Sequence, residues 1–148
     1  MDQPIAYATG PCPPPAEVAA LYRATTLGAR RPIDDPARLA GMCAHANLCV
    51  SACSGGQLVG FARAFTDITY VTYLADLAVH EGFQRRGIGL ELVRLVRAAA
   101  PQAMIVLLAA PQAVDYYPRI GFTRHDSAWL LRPGEPLPRP ELRTDEGE

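Results

Sequence analysis

The stretch from Leu74 to Leu95 reads LADLAVHEGFQRRGIGLELVRL. An apolar run, Leu74 to Val79, ends in a polar turn. The loop Gln84-Arg85-Arg86-Gly87-Ile88-Gly89 follows, and then a helical pattern. Strand, glycine-bearing loop and helix place an anion at a helix N-terminus. The first-turn N–H groups lack intrahelical partners, and the helix dipole favours negative charge there. Gly87 and Gly89 carry no Cβ, so a ligand can approach the backbone closely. Arg85 and Arg86 add positive charge with phosphate-matching donors. The physics describes a phosphate or pyrophosphate cradle.

The helix that follows is read from Ile88, Leu92, Leu95 and Ala99 at helical spacing, with Val93 and Val96 widening the apolar face. Glu91, Arg94 and Arg97 fall on the other side, and Pro101 stops the helix. A P-loop needs a Lys-Ser/Thr pair after its glycines, and none is present. A dinucleotide loop needs G-x-G-x-x-G with an acidic residue about 20 positions on, and here the third glycine is missing. A nucleotide-binding protein using this loop therefore lacks both of its signatures.

The pattern Q-x-x-G-x-G, preceded by a strand ending in Ala78-Val79, resembles motif A of the GNAT superfamily of acyl-CoA-dependent N-acetyltransferases. Tyr116-Tyr117-Pro118-Arg119-Ile120-Gly121-Phe122 is similar to its motif B. The resemblance covers roughly Pro14 to Arg132. It implies an α/β (α+β) fold: a mixed, mostly antiparallel sheet with a splayed parallel pair, flanked by about four helices. It implies acetyl-CoA as acyl donor. The backbone of Leu77, Ala78 and Val79 would then hold the pantetheine arm, rather like an added strand. Gln84, Arg85, Arg86, Gly87, Ile88 and Gly89 would hold the pyrophosphate. The acceptor would be an amine of a small molecule, peptide or protein. Homodimers are frequent in the superfamily.

Acyl transfer needs a neutral amine, donors for the developing oxyanion and a proton for the leaving thiolate. Tyr117 matches the tyrosine that many GNAT enzymes place near the cofactor sulfur; Tyr116 reads as a packing residue. Relatives with a glutamate base on the central strand place it at positions matching Tyr73 or Ala75. No carboxylate stands at either. By strict alternation Tyr73, Ala75 and Leu77 share one face unless a bulge intervenes, and Asp76 faces the other way, where a structural role suits it. The base stays open among Asp76, Tyr73 and water. Many relatives carry Asn seven residues before the motif B tyrosine; here that position is Ala110, followed by Pro111 and Gln112. The missing base and Ala110 keep a second reading in view, a non-catalytic module that binds CoA or acetyl-CoA.

Composition sets the frame. A chain of 148 residues, 49% hydrophobic and 20% charged, suits one soluble domain with a sizeable core. A net charge of −1 gives no broad attraction to nucleic acid or anionic membrane. No apolar run approaches a membrane span of about 20 residues. The segment MDQPIAYATG lacks signal-peptide features, so a cytoplasmic location is expected. Cys12, Cys43, Cys49 and Cys53 form no C-x-x-C pair, and no metal site is expected. Cys49 and Cys53 should share one strand face, and all four read as reduced, mostly buried thiols. His45, His80 and His125 are scattered.

Along the chain, Ile5–Ala8 is a first strand and Pro11–Pro15 a proline-rich entry. A helix over Ala16–Leu27 carries Val18, Leu21, Tyr22 and Leu27 and ends at Gly28. A loop holding Arg30 and Arg31 follows; it is a solvated loop or, by the resemblance, a border of the acceptor site that would favour acidic acceptors. Asp34 or Asp35 caps a second helix with Pro36 in its first turn. Leu48–Cys53, Leu58–Phe65 and Tyr70–Val79 form an antiparallel meander. Met104–Ala110 is a buried strand parallel to the last of these. Ala113–Ile120 is a short helix, and Thr123–Arg132 closes the sheet on Trp129, Leu130 and Leu131. One domain, 1–132, is followed by a Pro- and charge-rich tail, 133–148, expected to be disordered.

Overall fold

A computed structural model describes residues 3–141 of the chain. Two compact units divide at Val114 and Asp115. The first unit holds a five-stranded sheet in the order β1-β2-β3-β4-β5, with β1 Ile5–Gly10, β2 Leu48–Ser54, β3 Gln57–Thr66, β4 Val71–Val79 and β5 Met104–Leu107. The first four strands pair antiparallel; β5 joins β4 in parallel. Helices α1 (Pro15–Arg23), α2 (Pro36–His45) and α3 (Ile88–Ala99) complete this unit, and α4 (Tyr116–Arg119) belongs to the second. The mixed sheet, parallel pair and four α-helices agree with the fold class read from the sequence.

Each helix has a local reason. Helix α1 buries Val18, Ala19, Leu21 and Tyr22, the stripe expected at helical spacing. It ends sooner than expected, at Arg23. Thr25 Oγ1 accepts from Leu27 N at 3.1 Å and starts a separate 3-10 turn over Thr26–Ala29. Gly28 is therefore not the stop of α1. A Cβ at Gly28 would lie 2.8 Å from the Tyr22 carbonyl oxygen, so glycine permits the turn to fold back on the helix. Helix α2 is capped by Asp35, whose Oδ1 accepts from Arg38 N at 3.1 Å. Helix α3 buries Ile88, Leu92, Val93 and Val96; Leu95 is half-buried and Ala99 exposed, so the stripe runs a little aside from the expected one.

The sheet separates two cores. One face carries Cys49, Leu58, Phe61 and Ala78 and packs with Val18, Leu21 and Tyr22 of α1 and Leu39 and Cys43 of α2. Cys53 joins that core beside Cys49, as the strand spacing predicts. The other face receives α3. A Cβ at Gly60 would stand 2.9 Å from Ile88 Cγ2 and 3.2 Å from Leu92 Cδ1, so glycine lets the helix lie close to β3.

The β3–β4 register contains one irregularity with consequences. Arg63 faces Asp76 while Ala64 faces Leu74, which makes Ala75 the extra residue of a bulge. Tyr73 pairs with Phe65, and Asp76 with Arg63, two positions apart on one face; Leu77 pairs with Ala62 on the other. The expected common face of Tyr73, Ala75 and Leu77 is thus broken, and Asp76 lies on the Tyr73 side.

Strand β5 is shorter than expected, ending at Leu107. In the second unit, Thr123–Arg132 forms no strand. Its apolar residues are consecutive, without the alternation of a half-buried strand, and Trp129 is 90% exposed. Residues 133–141 contain neither helix nor strand. The rest of the tail expected to be disordered, 142–148, lies outside the described residues.

Candidate functional site

Strand β4 outruns its parallel neighbour. Strand β5 pairs with Val71–Leu74 only; beyond the bulge at Ala75, Asp76–Val79 keep their β3 partners, while among the described residues no strand pairs from Ala75 to Val79 on the β5 side. The outer carbonyls of this span meet side chains: Arg31 Nη2 donates to Ala75 O at 3.0 Å and Gln84 Nε2 to Val79 O at 3.3 Å. Between them, Leu77 lies in the stretch that β5 leaves unpaired. This is the splay that strand addition requires.

The strand feeds directly into the loop. A 3-10 turn over Glu81–Phe83 follows β4; His80 Nδ1 accepts from Gly82 N at 2.9 Å and caps it. Arg85 has φ +65° and Gly87 φ +80°, two left-handed residues within three. Gly87 is the N-cap of α3, and no side chain caps the helix. The first N–H groups of a twelve-residue helix are thus left to an outside acceptor. A Cβ at Gly87 would meet nothing within 4 Å. Gln84, Arg85, Arg86 and Gly87 are exposed, whereas Ile88 is buried and anchors the loop to the sheet. The Arg86 guanidinium lies 5.0 Å from the Phe83 ring centroid. The six loop residues singled out in the sequence therefore form one continuous segment with the open part of β4. Open main chain, a bare helix N-terminus and flanking arginines fit a ligand with an amide-bearing arm and a pyrophosphate.

Asp76 stands on the same strand with different surroundings. It is 1% exposed. Its Oδ2 accepts from Tyr22 Oη at 2.6 Å and from Arg63 Nε at 2.7 Å, and its Oδ1 from Arg31 Nε at 2.6 Å. Burial alone would raise its pKa. The hydrogen bond and charge of Arg63, the Tyr22 hydroxyl and the Arg31 charge outweigh burial and hold the carboxyl below its ordinary range. The carboxylate in turn keeps Tyr22 protonated: burial, then the Asp76 charge, push the phenol up. Burial weakens the Arg63 charge, but Asp76 more than restores it. A carboxylate with three donors and a lowered pKa is a poor proton acceptor. Arg31 is likewise committed, since Nη1 also donates to Arg30 O at 2.9 Å. It is a structural clamp, whereas Arg30 stays exposed. The sequence showed Arg31 and Asp76 separately; no spacing signal joins a loop to a strand 45 positions away.

In the second unit, Tyr117 packs edge to face with Tyr116 and Phe122, at centroid distances of 5.3 and 5.5 Å. Its carbonyl accepts from the N–H groups of Ile120 and Phe122, both at 3.1 Å, and Gly121 turns the chain with φ +100°. Burial, with a smaller contribution from Tyr116, raises the Tyr117 pKa, so the phenol is a donor at neutral pH. Upstream, Ala110 accepts from Ala113 N at 2.8 Å and opens a 3-10 turn over Pro111–Ala113.

Residues 16–122 match the model of the Acetyltransferase (GNAT) family. A relative from Pyropia yezoensis, described as an uncharacterized N-acetyltransferase, is 32% identical over 74 residues, 48% of this chain and 42% of the relative. The chain spans less than half the length of the curated relatives it matches. Among solved structures, a GNAT family acetyltransferase from Streptococcus pneumoniae TIGR4 superposes with a TM-score of 0.66 at 21% identity, covering 87% of this chain and 99% of its own. An aminoglycoside N-acetyltransferase solved in complex with CoA gives a TM-score of 0.69 at 16% identity, covering 90% and 97%. Among the described residues, no helix is long and apolar enough to cross a membrane.

Proposed function

The chain belongs to the acetyltransferase (GNAT) family, and on that premise we propose that it transfers an acetyl group from acetyl-CoA to an amine of a small molecule, peptide or protein. The observation that carries this reading is the unpaired main chain of β4 beyond Leu74, continuous with the uncapped N-terminus of α3. The backbone of Leu77, Ala78 and Val79 would hold the amide-bearing arm. Gln84 through Gly89 would hold the pyrophosphate, with first-turn N–H groups donating and Arg85 and Arg86 supplying charge. When bound, acetyl-CoA supplies an activated acyl group on a thiol leaving group.

Tyr117, which matches the motif B tyrosine, is the proposed proton donor to the departing thiolate, and burial keeps its hydroxyl protonated. Asp76 is left out of the proton transfers, since its oxygens already accept from Tyr22, Arg63 and Arg31. Water is the proposed base for the amine. A cytoplasmic location remains part of the proposal.

A thiol-release assay with acetyl-CoA and a panel of amines tests the reading. Turnover on at least one amine is the expected result. Tight CoA binding with no turnover on any amine would identify a binding module instead, the reading that the engagement of Asp76 favours.

A further inference from the structure

The buried ion network around Asp76 holds more positive charge than it cancels. Arg63 and Arg31 both bind this one carboxylate, at 2.7 and 2.6 Å, and Tyr22 is a neutral donor to it. Among the described residues, Asp76 is the carboxylate that acts on Arg63. Two guanidiniums against one carboxylate leave a positive charge uncancelled. Arg31 spends Nη1 and Nη2 on the carbonyls of Arg30 and Ala75. Arg63 is spent less fully. It is 7% exposed, and among the described residues it donates from Nε to Asp76 and from neither Nη. No buried side-chain nitrogen among those residues lacks a hydrogen-bond partner, so both Nη groups reach solvent. A guanidinium more than nine-tenths buried thus aims two unspent donors outward, in the fork that matches a carboxylate. These donors border an apolar row. The Arg63 guanidinium carbon lies 5.6 Å from the Phe65 ring centroid. Phe65 pairs with Tyr73 on β4, and Tyr73 with Val106 on β5; all three side chains are exposed.

We propose that Arg63 and this row bind a free α-amino acid with an apolar or aromatic side chain, and that such an amino acid is the acceptor. The last clause alone rests on the acetyl-transfer reading. The carboxylate takes the two Nη donors, and the uncancelled charge is its counterion. The side chain lies across Phe65, Tyr73 and Val106 and removes apolar surface from water. Arg63 pairs with Asp76, the residue after the Ala75 bulge, so the α-amine stands beside the strand that the proposed cofactor arm follows. Asp76 does not compete for the amine, because its oxygens already accept from three donors. The α-carboxylate separates this acceptor from a protein N-terminus, where a neutral amide takes its place. It also separates it from a simple amine, which leaves the Arg63 charge unanswered.

Calorimetry on the folded full chain without acetyl-CoA tests the site, with phenylalanine, phenylalaninamide and alanine as ligands. Phenylalanine should bind at least about 10-fold more tightly than phenylalaninamide, which lacks the carboxylate. It should also bind more tightly than alanine, which lacks the ring. Arg63→Lys keeps a cation beside Asp76 but loses the fork, and should bring phenylalanine down to the affinity of the amide. Tyr73→Ser should bring it towards alanine. The wild-type comparison decides the matter even if a variant does not fold. Equal binding of phenylalanine and its amide, or binding of neither, overturns the site. Thiol release with acetyl-CoA then keeps the two readings apart. Phenylalanine bound with this preference but never acetylated supports the site and rejects acetyl transfer to it. Turnover that ignores the carboxylate rejects the site and leaves acetyl transfer standing.

Discussion

Arg31 and Asp76, 45 positions apart, are joined by a 2.6 Å hydrogen bond from Nε to Oδ1, while Arg31 Nη2 reaches the Ala75 carbonyl beside it. The pair fastens the loop after α1 to the bulge of β4. Arg63 and Tyr22 occupy the other carboxylate oxygen, so strand, helix and loop share one buried anion.

Removing that anion should be costly. Asp76→Asn leaves Arg63 and Arg31 without a countercharge, and breaking a buried pair of this kind costs about 3–5 kcal/mol. Urea unfolding of the variant against wild type measures it. A loss below about 1 kcal/mol would show that the arginines find other partners.

The same carboxylate should give stability a pH dependence. Its folded-state pKa is lowered, so the native state holds fewer protons than the unfolded state in the acid range, and stability rises with pH. The contribution is complete above the unfolded-state value of about 3.9 and is lost as pH falls through the lower folded value. Denaturation curves from pH 2 to 6 should show wild type losing stability on acidification, with Asp76→Asn losing measurably less. Parallel curves would assign the acid sensitivity to other groups.

Arg30 and Arg31 should separate. Arg31→Ala should destabilise the fold, because it removes a donor to the buried carboxylate and exposes the Ala75 carbonyl. Arg30→Ala should leave the melting temperature unchanged. If Arg30 borders the acceptor, it should raise the KM for acidic amines alone. Melting curves and acceptor kinetics read both; equal stability of the two variants would contradict the clamp.

Tyr117→Phe should lower kcat and kcat/KM together by about 10- to 1,000-fold, because a proton donated to the leaving thiolate matters only in the transition state. Acetyl-CoA affinity should hold, since the ring remains. Tyr116→Phe is the control and should stay near wild type. Wild-type turnover in Tyr117→Phe would reject the acid role.

Much of the fold was legible because the chain states it locally. Asp35, Pro36 and the stripe of α2 give a capped helix, and the glycine loop with its apolar run gives the turn into α3. What stayed hidden depends on pairing. The bulge at Ala75 exists because β3 and β4 fall out of step between Arg63 and Ala64, and no property of Leu74-Ala75-Asp76 announces it. Alternation therefore put Asp76 opposite Tyr73. Its partners come from α1, a loop and β3, all brought in by the tertiary fold. At Thr123–Arg132 three adjacent apolar residues suggested a strand, although nothing there alternated.

Acetyl-CoA binding to wild type and to Gly89→Glu, compared by calorimetry, bears most directly on the cradle. Gly89 sits in the first turn of α3, where a glutamate adds bulk and negative charge at the proposed phosphate position. The expected result is clear binding to wild type and at least about a 100-fold loss in the variant, a difference of about 2.8 kcal/mol, with both proteins melting at similar temperatures. Unchanged acetyl-CoA affinity in a folded Gly89→Glu protein would contradict the assignment of this loop to the pyrophosphate.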